Sequence, residues 1–304
     1  MAKPNRQVFT SGLWVVATPI GNLGDLTQRA RWILEDAEVF FCEDTRRVRA
    51  LFSALEIPAG GKRLERMDQH SSLHQITKWV QEFLFTKPCV LISDAGTPGV
   101  SDPGALLIQC AIENQIPVMP IPGPSAVTAL ISVSGFSEPD FCFRGFFPKT
   151  EIQRRESIAQ LASGLVSIWF DSPLRIQRSL ELISQVLPEA RLVVAKELTK
   201  IHEKIFRGPV GEVAADVSRE LQKEGSRGEW CFAAKVSKPS ENNMSHGGES
   251  VHWKRCLSCL VRAGSSLSEG AALVGHEYGV SRREIYAWGL LYLKKKEDEG
   301  VDPF

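Results

Sequence analysis

Ser93-Asp94-Ala95-Gly96-Thr97-Pro98-Gly99-Val100-Ser101-Asp102-Pro103-Gly104 continues an apolar run that starts at Cys89. A short apolar run that breaks into glycine and proline reads as a buried strand ending in a sharp loop. The three glycines expose backbone amides and carbonyls to an approaching group, while the two prolines hold the path of the chain. Such a loop suits a ligand recognised by main chain; the plainer reading is a turn in which Asp94 or Asp102 caps the next helix. Outward from it, similar runs occupy Leu13 to Ala17, Val39 to Cys42 and Val118 to Ile121, alternating with helix-like stretches. That alternation is the rhythm of a parallel α/β sheet, whose strand-end loops share one ligand-binding edge. Two further loops fall on that edge. Thr18-Pro19-Ile20-Gly21-Asn22-Leu23-Gly24-Asp25 precedes a helix that Thr27 can cap. Pro122-Gly123-Pro124-Ser125-Ala126 leads into an apolar helix, so Ser125 either caps it or also faces a ligand. Only Gly21 and Gly24 match the spacing of a dinucleotide fingerprint, which argues against a nicotinamide cofactor although Glu43 follows where a ribose-binding carboxylate would.

A second α/β block has strand-like runs at Phe141 to Phe147, Val166 to Phe170, Arg191 to Ala195, Lys204 to Arg207 and Trp230 to Val236. Gly135 to Asp140 reads as the connector, giving an N-terminal domain over 1–136 and a second over 137–237, with the active site expected in the cleft between them. The stretch 238–251 is too polar and glycine-rich to fold alone and reads as a linker. Beyond it, over 252–304, Ser266 with Glu269 and Ser281 with Glu284 have the spacing of capping boxes, and Gly279 can end a helix with positive φ. The expected result is a small helix-turn-helix-like C-terminal domain.

With 43% hydrophobic and 24% charged residues, the composition is that of an ordinary globular chain, and no run offers the roughly 18 apolar residues of a membrane span. The first residues carry no apolar signal core, so a soluble cytoplasmic protein is expected. Seven cysteines without a spacing framework read as free thiols in a reducing compartment. His252, Cys256 and Cys259 have ligand-like spacing but fall short of the four ligands of a structural zinc site, so no metal is expected. Acidic and basic residues number 36 each, so any nucleic-acid contact must be a local patch. One candidate is the tail from Trp253 to Lys296, where eight Lys or Arg face three Glu, a net of +5 suited to phosphate.

Several motifs stand in order along the chain: Ala17 to Asp25, Glu43-Asp44-Thr45-Arg46, Ser93 to Gly104, Pro122 to Ala126, Phe143-Arg144-Gly145-Phe146 with Pro148, and Glu197-Leu198-Thr199-Lys200. In them the chain resembles the tetrapyrrole methylase superfamily from Leu13 to Val236. The Thr18 to Asp25 string is similar to the branch that methylates ribosomal RNA rather than to the cobalamin-pathway members, and the tail looks like that branch's small C-terminal domain. The resemblance implies two α/β domains with a cofactor cleft between them, plus a small C-terminal helical domain. It implies S-adenosylmethionine in that cleft, contacted by Asp94, Gly96, Val100, Ser101, Ser125 and Ala126, with Pro19, Phe170 and Leu198 as walls. It further implies a homodimer whose substrate is the ribose oxygen of a cytidine in the decoding region of 16S ribosomal RNA, within the small ribosomal subunit. The chain departs from the family where Asp171-Ser172-Pro173-Leu174-Arg175 replaces Glu-Ser-Pro-His-Arg, where Lys196 replaces an arginine, and where Asp68-Gln69-His70 is a remnant of a longer polar string.

A ribose hydroxyl is a poor nucleophile until its proton leaves, so a general base must reach it or a cation must stabilise the developing alkoxide. Glu43 and Glu197 are the candidate bases, and Arg46 and Lys200 the candidate cations. The ordinary alternative is that these charges form ion pairs or a dimer contact. His70 and His202 are weaker candidates, since an apt pKa alone says little. Two other functions compete: a methyltransferase for a tetrapyrrole or other small metabolite, which has no need of the basic tail, and a ligand-sensing regulator that docks its helical hairpin on DNA.

Overall fold

Alternate residues of the first strands feed two different cores, as expected of a sheet covered on both faces. The computed structural model describes residues 8–68, 71–159, 161, 165–236, 253–254, 256–257, 261 and 266–298. Strands β1 (Gly12–Val16), β2 (Val39–Cys42), β3 (Arg63–Arg66), β4 (Pro88–Ile92) and β5 (Val118–Ile121) form a parallel sheet in the order β3-β2-β4-β1-β5. Trp14, Val16, Phe40, Val90 and Ile92 pack on α1 (Gln28–Asp36) and α2 (Thr45–Ala54). Their neighbours Leu13, Val39, Phe41, Cys89 and Leu91 pack instead on α3 (Leu73–Trp79) and α4 (Ala105–Glu113). Thr27 caps α1 by accepting from the Ala30 amide. Sequence reading misses β3, because Arg-Leu-Glu-Arg carries no apolar alternation; as an edge strand it is charged on its open side, which discourages further pairing.

The second sheet, in the order β6-β7-β10-β8-β9, comprises β6 (Phe141–Phe146), β7 (Val166–Asp171), β8 (Arg191–Lys196), β9 (Lys204–Pro209) and β10 (Trp230–Lys235). Only β6 and β7 run parallel; the other pairs are antiparallel. One face, with Trp169, Val194 and Phe232, is covered by α7 (Ile176–Val186) and α8 (Val210–Glu224), which follow α6 (Glu151–Ala159). The other face, with Ile168, Val193, Ala195 and Ala233, buries Val127 and Leu130 of α5 (Ala126–Ser132) together with Ile20 and Leu198. This shared core places the ligand-edge loops of the first sheet on the second, and both sheets lie in one compact unit, Met1–Val236.

The second compact unit is Ser237–Phe304. Within it, α9 (Leu267–Tyr278) begins with the full capping box of Ser266 and Glu269 and ends at Gly279 with φ +65°. It is followed by α10 (Arg282–Asp298), where Ser281 accepts from the Glu284 amide. Trp253, Leu257, Val274 and Ile285 fill its core. The Leu267 and Leu257 side chains fill the space beside Gly289, and they would have to shift to admit a Cβ there. The linker expected at 238–251, His70, and the zinc-like partners His252 and Cys259 lie outside the described residues.

One close join between the sheets is at Gly21. A Cβ there would stand 2.4 Å from Lys200 Cγ, 2.8 Å from Thr199 Oγ1 and 3.0 Å from the Leu198 carbonyl. The facing turn has little room to yield, because Glu197 and Thr199 already hold φ at +53° and +66°. Gly21→Ala should therefore destabilise the protein by about 1–3 kcal/mol through overpacking, read as a lower denaturant midpoint. An unchanged midpoint would mean that the turn adapts freely.

Candidate active site

Three loops meet at the carboxyl edge of the first sheet because main chain and small polar side chains stitch them together. Thr18 and Gly96 exchange backbone hydrogen bonds at 2.9 and 3.0 Å, tying the loop after β1 to the loop after β4. Thr97 Oγ1 donates to the Pro124 carbonyl at 3.0 Å, tying the latter to the loop after β5. A Cβ on Gly123 would lie 3.0 Å from the Ala17 side chain, so glycine permits that last approach.

Against the second sheet these loops leave a concave, partly open cleft. Of the residues expected to contact a cofactor, Gly96, Val100, Ser101, Ser125, Ala126 and Phe170 line it. Pro19 does not line it, and Leu198 is buried in the shared core behind it. Asp94, at the end of β4, is likewise not a lining residue; its Oδ2 pairs with Arg47 at 3.1 Å, and its buried Oδ1 has no partner. The reading of Asp94 or Asp102 as a helix cap fails: the cap position of α4 is Gly104, without a side-chain hydrogen bond. Ser125 stands at the cap position of α5, but its hydroxyl makes no cap hydrogen bond, so it is available to the cleft.

Sequence reasoning did not single out Ile20, Ala95, Thr97, Asp102 or Phe146 as lining residues. All five lie inside motifs that were recognised, so the available signal was position within a motif rather than residue type. Asp102 is chemically the most distinctive. Burial first, then the nearby charges of Glu43 and Asp94, push its carboxyl up to about 6, while a hydrogen bond with Ser93 opposes the shift. Glu43, at the end of β2, is also raised, by burial first and then by Asp94. Carboxylates drawn from two strand ends thus raise one another's affinity for protons.

The other predicted residues are arranged differently. Arg46 grips its own helix cap, Asp44, at 2.6 Å and is 87% exposed. Lys200 Nζ pairs with Glu197 Oε1 at 2.8 Å, and the same oxygen accepts from the Glu229 amide at 2.8 Å. Burial pushes the Glu197 carboxyl up, but these two donors outweigh it and hold it below its ordinary value. Burial likewise lowers Lys200, and Glu197 and Glu229 more than restore it. Gly21 against Lys200 brings this pair onto the first loop. His202 lies in the same turn.

Residues 12–214 match the family model described as Tetrapyrrole (Corrin/Porphyrin) Methylases. The chain belongs to the tetrapyrrole methylase family. Among its relatives is the ribosomal RNA small subunit methyltransferase I of Escherichia coli O157:H7, 34% identical over 91% of this chain and 94% of that protein. The protein of the same name from Hydrogenobaculum sp. (strain Y04AAS1) is 39% identical over 70% of this chain and 90% of its own length. The solved structure of the methyltransferase CobJ shares the fold, with a TM-score of 0.53 and 16% identity over 75% of this chain and 95% of that one. This methylase is an S-adenosylmethionine-dependent methyltransferase.

A carboxyl whose pKa is raised by folding favours the fold while protonated and loses that contribution as pH rises through the folded value. The stability contribution of Asp102 is thus fully present below its ordinary 3.8 and lost as pH rises through about 6. Asp102→Asn removes the ionisation and should stabilise the protein at pH 8 by about 1–2 kcal/mol after solvent screening, with the difference vanishing near pH 4. Melting curves at the two pH values check this; equal melting temperatures at pH 8 would show that the carboxylate is not penalised.

Proposed function

We propose that this methyltransferase modifies the ribose 2′-oxygen of a cytidine in the decoding region of 16S ribosomal RNA, acting on the small ribosomal subunit as a cytoplasmic homodimer. The observation that carries the reading is near full-length similarity to proteins named for small-subunit ribosomal RNA methylation. The stretch from Trp253 to Lys296 supports it, because its eight Lys or Arg against three Glu suit a phosphate backbone, although the C-terminal unit as a whole carries no net charge. No described helix is long and apolar enough to cross a membrane.

The cleft fits S-adenosylmethionine. Ile20, Val100, Ala126 and Phe170 offer an apolar wall, and Ser101 and Ser125 offer hydroxyls. Gly96, with φ +84°, leaves main chain bare for close approach. Pro19 and Leu198 would support these contacts from behind. When bound, the cofactor supplies an electrophilic methyl carbon on a sulfonium.

The chain's own task is to position the ribose hydroxyl and take its proton. Of the two candidate bases, Glu43 suits proton transfer better, since burial and its acidic neighbours raise its proton affinity. Glu197 is occupied in holding Lys200, whose ammonium would steady charge on the ribose oxygen. Arg46, exposed in the first turn of α2 and paired with Asp44, would meet phosphate.

Methyl incorporation into small ribosomal subunits that lack the modification, followed by mapping of the product nucleotide, tests the reading. Ribose-methylated cytidine is expected; label appearing only in a corrinoid or porphyrinoid acceptor would overturn it. Glu43→Gln should lower the single-turnover rate by about 10²- to 10⁴-fold with cofactor affinity unchanged. Wild-type rates in Glu43→Gln and Lys200→Ala alike would remove both from the chemistry. Deleting 237–304 should leave binding of S-adenosylhomocysteine intact and weaken methylation of subunits; full activity would move RNA binding to the α/β unit.

A further inference from the structure

In a regular strand, residues three apart face opposite sides of the sheet. Phe143 and Phe146 break that rule. Both rings meet Phe170, with centroids at 4.8 and 5.7 Å. The cause is a bulge: Phe143 pairs with Ile168 and Phe146 with Phe170, so three steps along β6 span two along β7. Gly145, with φ +72°, supplies the backbone conformation this needs, and a Cβ there would lie 3.7 Å from Ser101 Oγ. The extra residue turns Phe146 onto the face that holds the cofactor loops, and bulges beside active sites serve to re-aim side chains in this way.

The re-aimed ring is not used to fill the core. Phe146 lines the cleft yet is 60% exposed, whereas its neighbour Phe147 is fully buried among Trp169 and Phe232 on the opposite face. Phe170 meets it at an interplanar angle of 74°, so the ring is braced from within and open outward. A braced aromatic at the mouth of a cleft suits a flat partner. RNA-binding proteins capture unpaired nucleotides by stacking the base on such a side chain.

Building on the proposed RNA substrate, we infer that Phe146 is the platform on which the base of the target nucleotide stacks, holding its ribose at the mouth of the cleft. Stacking is blind to base identity, so Phe146 contributes capture and positioning rather than sequence choice.

The test compares wild type with Phe146→Ala, Phe146→Leu and Phe146→Trp, measuring KM and kcat on small ribosomal subunits and the Kd of S-adenosylhomocysteine by calorimetry. Because the side chain is mostly exposed, all three should fold. Phe146→Ala should raise KM for subunits roughly ten- to a hundredfold, with cofactor affinity within about twofold of wild type. Phe146→Trp should restore KM to within a few-fold, while Phe146→Leu, apolar but without a π face, should remain impaired. A wild-type KM in Phe146→Ala overturns the inference, as does full rescue by leucine. Cofactor affinity falling in step with KM would assign the ring to the cofactor wall instead. If wild type itself fails to methylate subunits, the RNA reading falls and takes this inference with it.

Discussion

The inner face of the second sheet must be covered, and what covers it is the ligand edge of the first. Ile168, Val193, Ala195 and Ala233 would face water if α5 and the first loop did not bury them under Val127, Leu130 and Ile20. The active site is therefore not a gap between independent bodies. Its apolar wall, Val100, Ala126 and Phe170, is the outer margin of the same core. Hydrophobic burial that stabilises the fold also fixes the distance across the cleft, and side chains placed by a packed core are held more precisely than side chains on free loops.

Polar contacts then refine what the core positions. The paired hydrogen bonds between Thr18 and Gly96 set the spacing of adjacent loops, and the Gly21 contact seats the Glu197 to Lys200 turn upon them. Two of the residues at which the chain departs from the family pattern, Asp171 and Lys196, fit the same scheme. Asp171 is buried and satisfied by Ser179 Oγ at 2.6 Å, the Ser172 amide at 2.8 Å and Arg175 at 3.0 Å. Lys196 reaches Glu220 at 2.8 Å and Glu224 at 2.6 Å, next to Lys204 on the same two carboxylates. Asp171 and Lys196 thus each hold a charge partnership at a strand end of the second sheet, and neither lines the cleft.

Much of this was legible in the sequence, for physical reasons. Buried parallel strands must be apolar throughout, so four strands of the first sheet stood out; β3, half solvated and charged, did not. Loops that bare their backbone need glycine, so the cleft's main-chain residues were visible as motifs. What stayed hidden depends on pairs distant in sequence. Asp102 gains its raised pKa only when folding buries it and brings Glu43 and Asp94 near it. Phe146 faces the cleft only because a bulge alters the alternation that a reader of β6 would assume. The bond from Glu197 to the Glu229 amide spans 32 residues, which no local spacing could reveal.

Loops of the first sheet and strands β6 and β7 of the second jointly line one cleft. Amide hydrogen exchange with and without S-adenosylhomocysteine tests it directly, because exchange reports local opening segment by segment. Added protection is expected in 93–104 and 122–126 and, at the same ligand concentration, in 143–147 and 168–172. Protection confined to the first sheet's loops, with both segments of the second sheet unchanged, would contradict it.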